Sequence, residues 1–323
     1  MLSALSQRLL PVLQLTRMAL VFTAISNAYC TALLLFVRDD SALDPGRMLS
    51  ITGISVGLYG FGMSLNDIID RRRDRQIASH RPIPSGRLDV MTAHAICAFL
   101  GLSAVGCSIL YARFSGLWMS PVLVLVAGLL ITFYDMAGKY LVAPGLIALG
   151  LIRFLHALAP APGIPVLWHP LLLLTHVTIL STVAYVWEQK RPPLTKIHWW
   201  SVLGGLCVLD AVVIALVLER RGWAGLRLTP WLALPAAAVL GFAALALWTW
   251  RRSPSRREAG QRLMLYGLLW LIVYDVCFVF AYVGWFPASL MLLFLPVAYF
   301  SVQLMRWWST VRAISQTPEF RRA

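Results

Sequence analysis

Apolar stretches of about 20 residues, long enough to cross a hydrocarbon core of about 30 Å, recur along the whole chain. They fall near residues 18–37, 48–66, 90–111, 117–135, 140–159, 168–187, 199–218, 230–250, 264–283 and 286–307. In hydrocarbon every backbone N–H and C=O must be satisfied without water, which makes such spans helices. The expectation is an all-α integral membrane protein of nine to ten transmembrane helices. The composition agrees: 59% hydrophobic residues, 13% charged and a mean hydropathy of +0.74 exclude an ordinary water-soluble enzyme. The last two spans need an argument. Residues 264–300 are almost uninterruptedly apolar, and one helix of that length would measure about 55 Å. Gly284-Trp285-Phe286-Pro287 offers a break, hence two spans.

A net charge of +14 is compatible with nucleic acid until its distribution is considered. Counted by alternate loops, one side of a ten-span chain carries 21 Lys and Arg and the other 6, with Arg153 inside a span. That bias places both termini in the cytoplasm, as for a multi-pass protein of a bacterial inner membrane, and attracts anionic lipids. It gives no reason to expect nucleic acid. Trp118, Trp168, Trp187, Trp199, Trp200, Trp231, Trp248, Trp250, Trp307 and Trp308 sit near span ends, as an interfacial belt requires. Cys30, Cys97, Cys107, Cys207 and Cys277 fall within spans without metal spacing and read as small buried hydrophobes. The first span lacks a cleavage site and reads as a signal anchor. Residues 1–323 form a single polytopic domain, with a loose basic tail over 309–323.

Only fourteen residues are Asp or Glu, and Asp67, Asp70 and Asp74 fall within eight positions at the end of the second span. At about 100° per residue they lie within about 60° of one another, one acidic stripe on one helix face. Like charges at that spacing repel, and a cation is the simplest remedy. The polar loop that follows holds Arg71, Arg72, Arg73, Arg75, His80, Arg81 and Arg87, with Pro82, Pro84 and Gly86 marking an irregular return. Mg²⁺ takes oxygen ligands and is often held by one or two carboxylates plus substrate phosphates. Arginines bind phosphate oxygens bidentately. The bland alternative is a salt-bridged helix end, but Asn66 and the position at a membrane mouth favour a site.

The run Asn66-Asp67-x-x-Asp70-x-x-x-Asp74, followed by Arg81-Pro82-Ile83-Pro84-Ser85-Gly86, resembles the signature of the UbiA family of intramembrane prenyltransferases. The resemblance implies a UbiA-like helical bundle around a central cavity, in which Mg²⁺ holds a prenyl diphosphate. It implies ionisation to an allylic cation that alkylates a hydrophobic acceptor, aromatic or otherwise accessible from the membrane lipids. The family's first metal motif carries over to Asp67, Asp70 and Asp74, and Asn66 and Arg81 match flanking diphosphate-site positions. Neutralising the diphosphate makes it a leaving group, and an apolar cavity keeps the cation from water.

The family's second carboxylate-rich motif is thin here. Tyr185-Val-Trp-Glu188-Gln-Lys190-Arg191 has one acid, so that Glu188 is either the surviving ligand, with Lys190 or Arg191 replacing a metal's charge, or part of an interfacial charge cluster. Tyr134, Asp135 and Lys139 end the fourth span. Lys139 either grips phosphate or anchors the interface, and Tyr134 and Tyr185 are cavity candidates. Arg153, Asp210 and Asp275 lie deep in their spans. Arg153 is expected to pair with one of the aspartates, with acceptor binding as the sharper alternative. Asn27, Ser181 and Thr182 are weaker cavity candidates that read first as interhelical hydrogen bonders, and Gly53 and Gly57 read as helix-packing positions. Competing readings are a CDP-alcohol phosphotransferase, disfavoured because Arg71 rather than Gly follows Asp70, a transporter, and a catalytically degenerate prenyl-lipid-binding protein.

Overall fold

The protein, seen in a computed structural model, is described here for residues 2–36, 44–190 and 192–315. Arg191 and most of the C-terminal tail lie outside them. Thirteen helices are assigned: α1 (Leu2–Leu15), α2 (Val21–Phe36), α3 (Pro45–Ile77), α4 (Val90–Ser115), α5 (Met119–Phe133), α6 (Lys139–Leu141), α7 (Ala143–Leu158), α8 (Trp168–Trp187), α9 (Lys196–Arg221), α10 (Ala233–Arg252), α11 (Arg256–Tyr282), α12 (Trp285–Leu292) and α13 (Phe294–Ser315). Among the described residues nine helical segments are long and apolar enough to span a membrane. The protein is a multi-pass integral membrane protein.

Two of the expected boundaries move. The fifth span shortens to α7, 16 residues or about 24 Å. A π-helical segment, Tyr134–Gly138, and a break at Val142 precede it. Non-helical backbone at membrane depth is tolerated where protein covers it, and α7 packs against α2, α5, α8 and α9. The second span instead lengthens. α3 runs 33 residues without interruption, so the acidic stripe lies on a continuous helix rather than opening a loop. Nothing between Asn66 and Ile77 breaks a helix; the turn comes with Pro82 and Pro84. The break at Gly284 is present, with φ 138°, a conformation that only glycine adopts readily. α13 continues through Ser315, so the first part of the expected tail is helical.

Caps fix several helix starts. Asp44 accepts from the Arg47 amide at 2.9 Å, Asp89 from Thr92 at 3.1 Å and Ser255 from Glu258 at 3.2 Å, each satisfying an amide that the helix cannot. Gly57 lets α3 and α4 approach closely: a Cβ there would lie 2.7 Å from the Leu100 carbonyl. Burial separates centre from rim. The most apolar window is 67% buried in the α2 segment and 61% in α8, but 17% in α9 and 11% in α10. α2 and α8 are therefore core helices, and α9 and α10 turn most of their side chains outward. Exposed Trp118, Trp200, Trp231 and Trp307 fit an interfacial belt. Cys30 and Cys97 are buried as expected, whereas Cys207 is exposed, because α9 is peripheral.

Candidate functional site

The acidic stripe emerges at one end of the bundle, where five chain segments meet. Asp67 and Asp74 are 4% and 3% exposed, a degree of burial that charged groups tolerate only with partners. Arg81 supplies the central one. Its Nη1 donates to Asp74 Oδ2 at 2.6 Å and to Asp67 Oδ1 at 3.3 Å. Arg17 Nη2, arriving from the turn before α2, reaches the same Asp67 oxygen at 3.5 Å. Lys139 Nζ donates to Asp70 Oδ1 at 2.7 Å. Asn66 Nδ2 donates to Asp135 Oδ1 at 2.8 Å, tying α3 to the π-helical segment.

The chain is shaped to deliver these groups. The loop after α3 folds back on itself: the Ser85 amide donates to the Arg81 carbonyl at 3.0 Å and Leu88 to that of Pro82 at 3.1 Å. Ile83 and Leu88 are buried with Leu15, Ile68, Ala93 and Cys97, which anchors the loop and fixes Arg81 over the stripe. Gly86, at φ 73°, makes the turn. On the facing side the π-helical turn adds a residue to the end of α5 and sets Asp135 and Lys139 toward α3. Such turns recur at functional sites. Val142, at φ 59°, closes that segment in a region costly for a β-branched residue.

One oxygen of each stripe carboxylate is thus held by a cation. Among the described residues Asp67 Oδ2, Asp70 Oδ2 and Asp74 Oδ1 accept no hydrogen bond. Three carboxylates on one helix face, each with an unused oxygen, form a hard-oxygen donor set of the kind that Mg²⁺ prefers, and Arg17, Arg81 and Lys139 line it with positive charge for an anion.

The other sequence candidates divide by depth. Tyr134 lies within electrostatic reach of Asp70, Arg17 and Tyr185, and Tyr185 within reach of Arg73, so the end of α8 faces the same mouth. Glu188 caps α8, pairs with Lys190 at 3.1 Å, and packs its Cγ against Gly260 of α11. Arg71 turns back to the Ile68 carbonyl of its own helix at 2.9 Å. Arg191 is outside the described residues. Deeper in the bundle, Asn27 Nδ2 and Ser26 Oγ donate to Asp275 Oδ2 at 2.8 and 2.6 Å, and His169 Nε2 sits 2.7 Å from Asp275 Oδ1. Asp210 accepts from Thr175 at 3.2 Å. The expected ion pair between Arg153 and an aspartate is absent among the described residues: His169 takes Asp275, and Arg153 bonds Thr23 Oγ1 at 3.4 Å. Cys30 Sγ, His169 and Asp275 lie within 4.8 Å of one another; the Asp275 carboxylate is taken by His169, Ser26 and Asn27 and the thiol donates to the Asp275 carbonyl, while His169 Nδ1 has no partner among the described residues.

Sequence reasoning missed two residues. Arg17 looked like a topological charge before the first span; its position beside the stripe needs the fold. His169, near a span end, gave no sign that it meets Asp275, 106 residues away.

The arrangement was compared with known proteins. The model of the UbiA prenyltransferase family matches residues 26–265. A solved structure of a digeranylgeranylglyceryl phosphate synthase is 16% identical, covering 85% of this chain and 99% of that one with a TM-score of 0.57. A UbiA homolog from Archaeoglobus fulgidus is 12% identical, covering 83% and 99% with a TM-score of 0.53. No curated protein sequence gives a significant match. At such identities the structural likeness speaks for the fold alone, whereas the family match covers most of the chain and includes the whole acidic stripe. The chain belongs to the UbiA prenyltransferase family and is an intramembrane prenyltransferase.

Proposed function

We propose that the mouth formed by α3, its following loop and the end of α5 binds a prenyl diphosphate with Mg²⁺ and transfers the prenyl group to an acceptor reached from the lipid. The observation that carries this is the stripe itself: three carboxylates, each with one oxygen engaged by Arg17, Arg81 or Lys139 and one unused among the described residues. Asp67, Asp70 and Asp74 would hold the metal, which when bound supplies Lewis-acid neutralisation of the diphosphate oxygens. Arg81 and Arg17 then have a second role. As diphosphate arrives, their remaining N–H groups bind its oxygens and stabilise the charge that grows on them as the allylic C–O bond breaks. Lys139 adds a compact charge opposite. Asn66, held by Asp135, fixes the pitch of α3 against α5. The interior below excludes water from the allylic cation until the acceptor attacks.

The surplus of Lys and Arg on the loops of the mouth side supports a cytoplasmic mouth and cytoplasmic termini, in a bacterial inner membrane. The test is direct. Purified protein in lipid nanodiscs is incubated with isoprenyl diphosphates of several lengths and a membrane lipid extract, and release of diphosphate is followed against Mg²⁺ concentration. Metal-dependent release coupled to a prenylated lipid product is expected. Absence of release with every donor, from protein whose fold is intact, would overturn the reading.

A further inference from the structure

The last residues of α1 reach the mouth, as Arg17 does. Leu15 is 0% exposed and shares the cluster that anchors the loop after α3, with Ile83 and Leu88. The chain then turns at Arg17, whose φ of 47° is one that a residue with a side chain rarely adopts. Such strain persists where surrounding contacts impose it. Contacts lie on both sides of the turn. Arg17 itself holds Asp67. Three residues earlier, Gln14 Oε1 accepts from Arg87 Nη1 at 3.0 Å, and Gln14 Nε2 donates to Ser309 Oγ of α13 at 2.8 Å. A guanidinium has donors and no acceptor, so the amide oxygen is the end that faces Arg87.

Arg87 staples the loop. Its Nη2 donates to the His80 carbonyl, and its Nε to Ser85 Oγ at 2.9 Å. These two partners flank Arg81-Pro82-Ile83-Pro84, so one guanidinium clasps both ends of the segment that carries Arg81. Arg81 in turn spans Asp67 and Asp74. A long side chain such as that of Arg87 has many rotamers to lose, and the bond from Gln14 favours the one in which the fork reaches His80 and Ser85.

We infer that Gln14 is a positioning residue of the mouth, acting through Arg87 to hold the loop in the shape that sets Arg81 over the stripe. It touches neither the metal site nor the diphosphate site. A loop already held in its binding shape loses less freedom when the ligand arrives, so the contact is felt in affinity for the diphosphate. The inference rests on the prenyl-transfer reading and adds to it a residue from outside the apolar spans. The link to Ser309 steadies the amide from α13, but the acting contact is the one to Arg87.

The experiment titrates the full chain in lipid nanodiscs with geranyl diphosphate and Mg²⁺. Gln14→Ala, which keeps a good helix former, is expected to weaken binding about fivefold. Gln14→Glu retains an oxygen for Arg87 and should restore the affinity, and Ser309→Ala should change it less than about twofold. In an Arg81→Lys background the loss from Gln14→Ala should shrink to less than about twofold, because residues that act through one another are not additive. A merely structural amide would cost the same in both backgrounds, and that result overturns the inference. So does a Gln14→Glu chain as weak as Gln14→Ala, or a loss in Ser309→Ala as large as theirs. If Gln14→Ala does not fold, Gln14→Asn, polar but one methylene short of Arg87, takes its place with the same expectations. Failure of the wild type to bind geranyl diphosphate removes the functional reading itself; wild-type binding with no loss in Gln14→Ala removes this inference alone.

Discussion

The acidic mouth and the deep cluster around Asp275 are both built on buried aspartates, yet they are finished differently. At the mouth, cations from three chain segments take one oxygen from each carboxylate and, among the described residues, leave the other. Around Asp275 both oxygens are consumed, by His169, Ser26 and Asn27, and the residue is 0% exposed. The first arrangement has unused acceptors beside excess positive charge and is poised for a metal and an anion. The second ties α2, α8 and α11 together with no carboxylate oxygen left over, although His169 Nδ1 and Asn27 Oδ1 have no partner among the described residues. Burial of a charged group is thus not by itself a sign of chemistry; what distinguishes the two is whether the partners exhaust the group.

The sharpest test of that contrast is Asp67→Asn. It keeps a polar side chain of the same shape, so turnover should fall about a thousandfold while the unfolding temperature of the nanodisc-reconstituted protein barely moves. A comparable loss of stability would make the mouth a structural cluster after all. Asp275→Ala should behave oppositely. Leaving His169, Ser26 and Asn27 without their acceptor should cost about 3 kcal/mol of stability, seen as a lowered denaturation midpoint in mixed micelles, with kcat of the folded fraction retained. Arg81→Lys comes next. One guanidinium nitrogen spans Asp67 and Asp74, and a flexible point charge cannot also grip diphosphate bidentately. The expected result is about a tenfold fall in kcat/KM for the prenyl diphosphate, that is about 1.4 kcal/mol. The smallest effect should come from Glu188→Gln, because Glu188 is paired with Lys190, itself 45% exposed, and such pairs contribute about 1 kcal/mol or less. Less than about a threefold change in turnover is expected. A rise in the Mg²⁺ concentration needed for half-maximal rate would instead assign Glu188 to the metal.

Much of this was readable in the residues. The spans, the break at Gly284 and the face shared by Asp67, Asp70 and Asp74 follow from lengths and periodicities set by helix geometry and bilayer thickness. What escaped depends on contacts between distant segments. Arg153 was expected to meet an aspartate because depths along helices can be counted, but azimuth cannot, and the rotation of α11 offers Asp275 to His169. Likewise α7 falls short of a full span because the π-helical segment Tyr134–Gly138 and the break at Val142 precede it, and its packing between α2, α5, α8 and α9 shields that backbone, a circumstance invisible to hydropathy.

The sequence alone determined that the chain crosses the membrane many times and carries an acidic stripe beside a basic, proline-broken loop. Both are local: burying a backbone in hydrocarbon and placing charges at i, i+3 and i+7 need no knowledge of neighbours. Only the tertiary structure decided which cations hold which carboxylates, that Arg17 joins them, and that Asp275 is exhausted while Arg153 is not. Those outcomes turn on ångström distances between side chains on different helices, which are set by how the helices rotate and pack against one another.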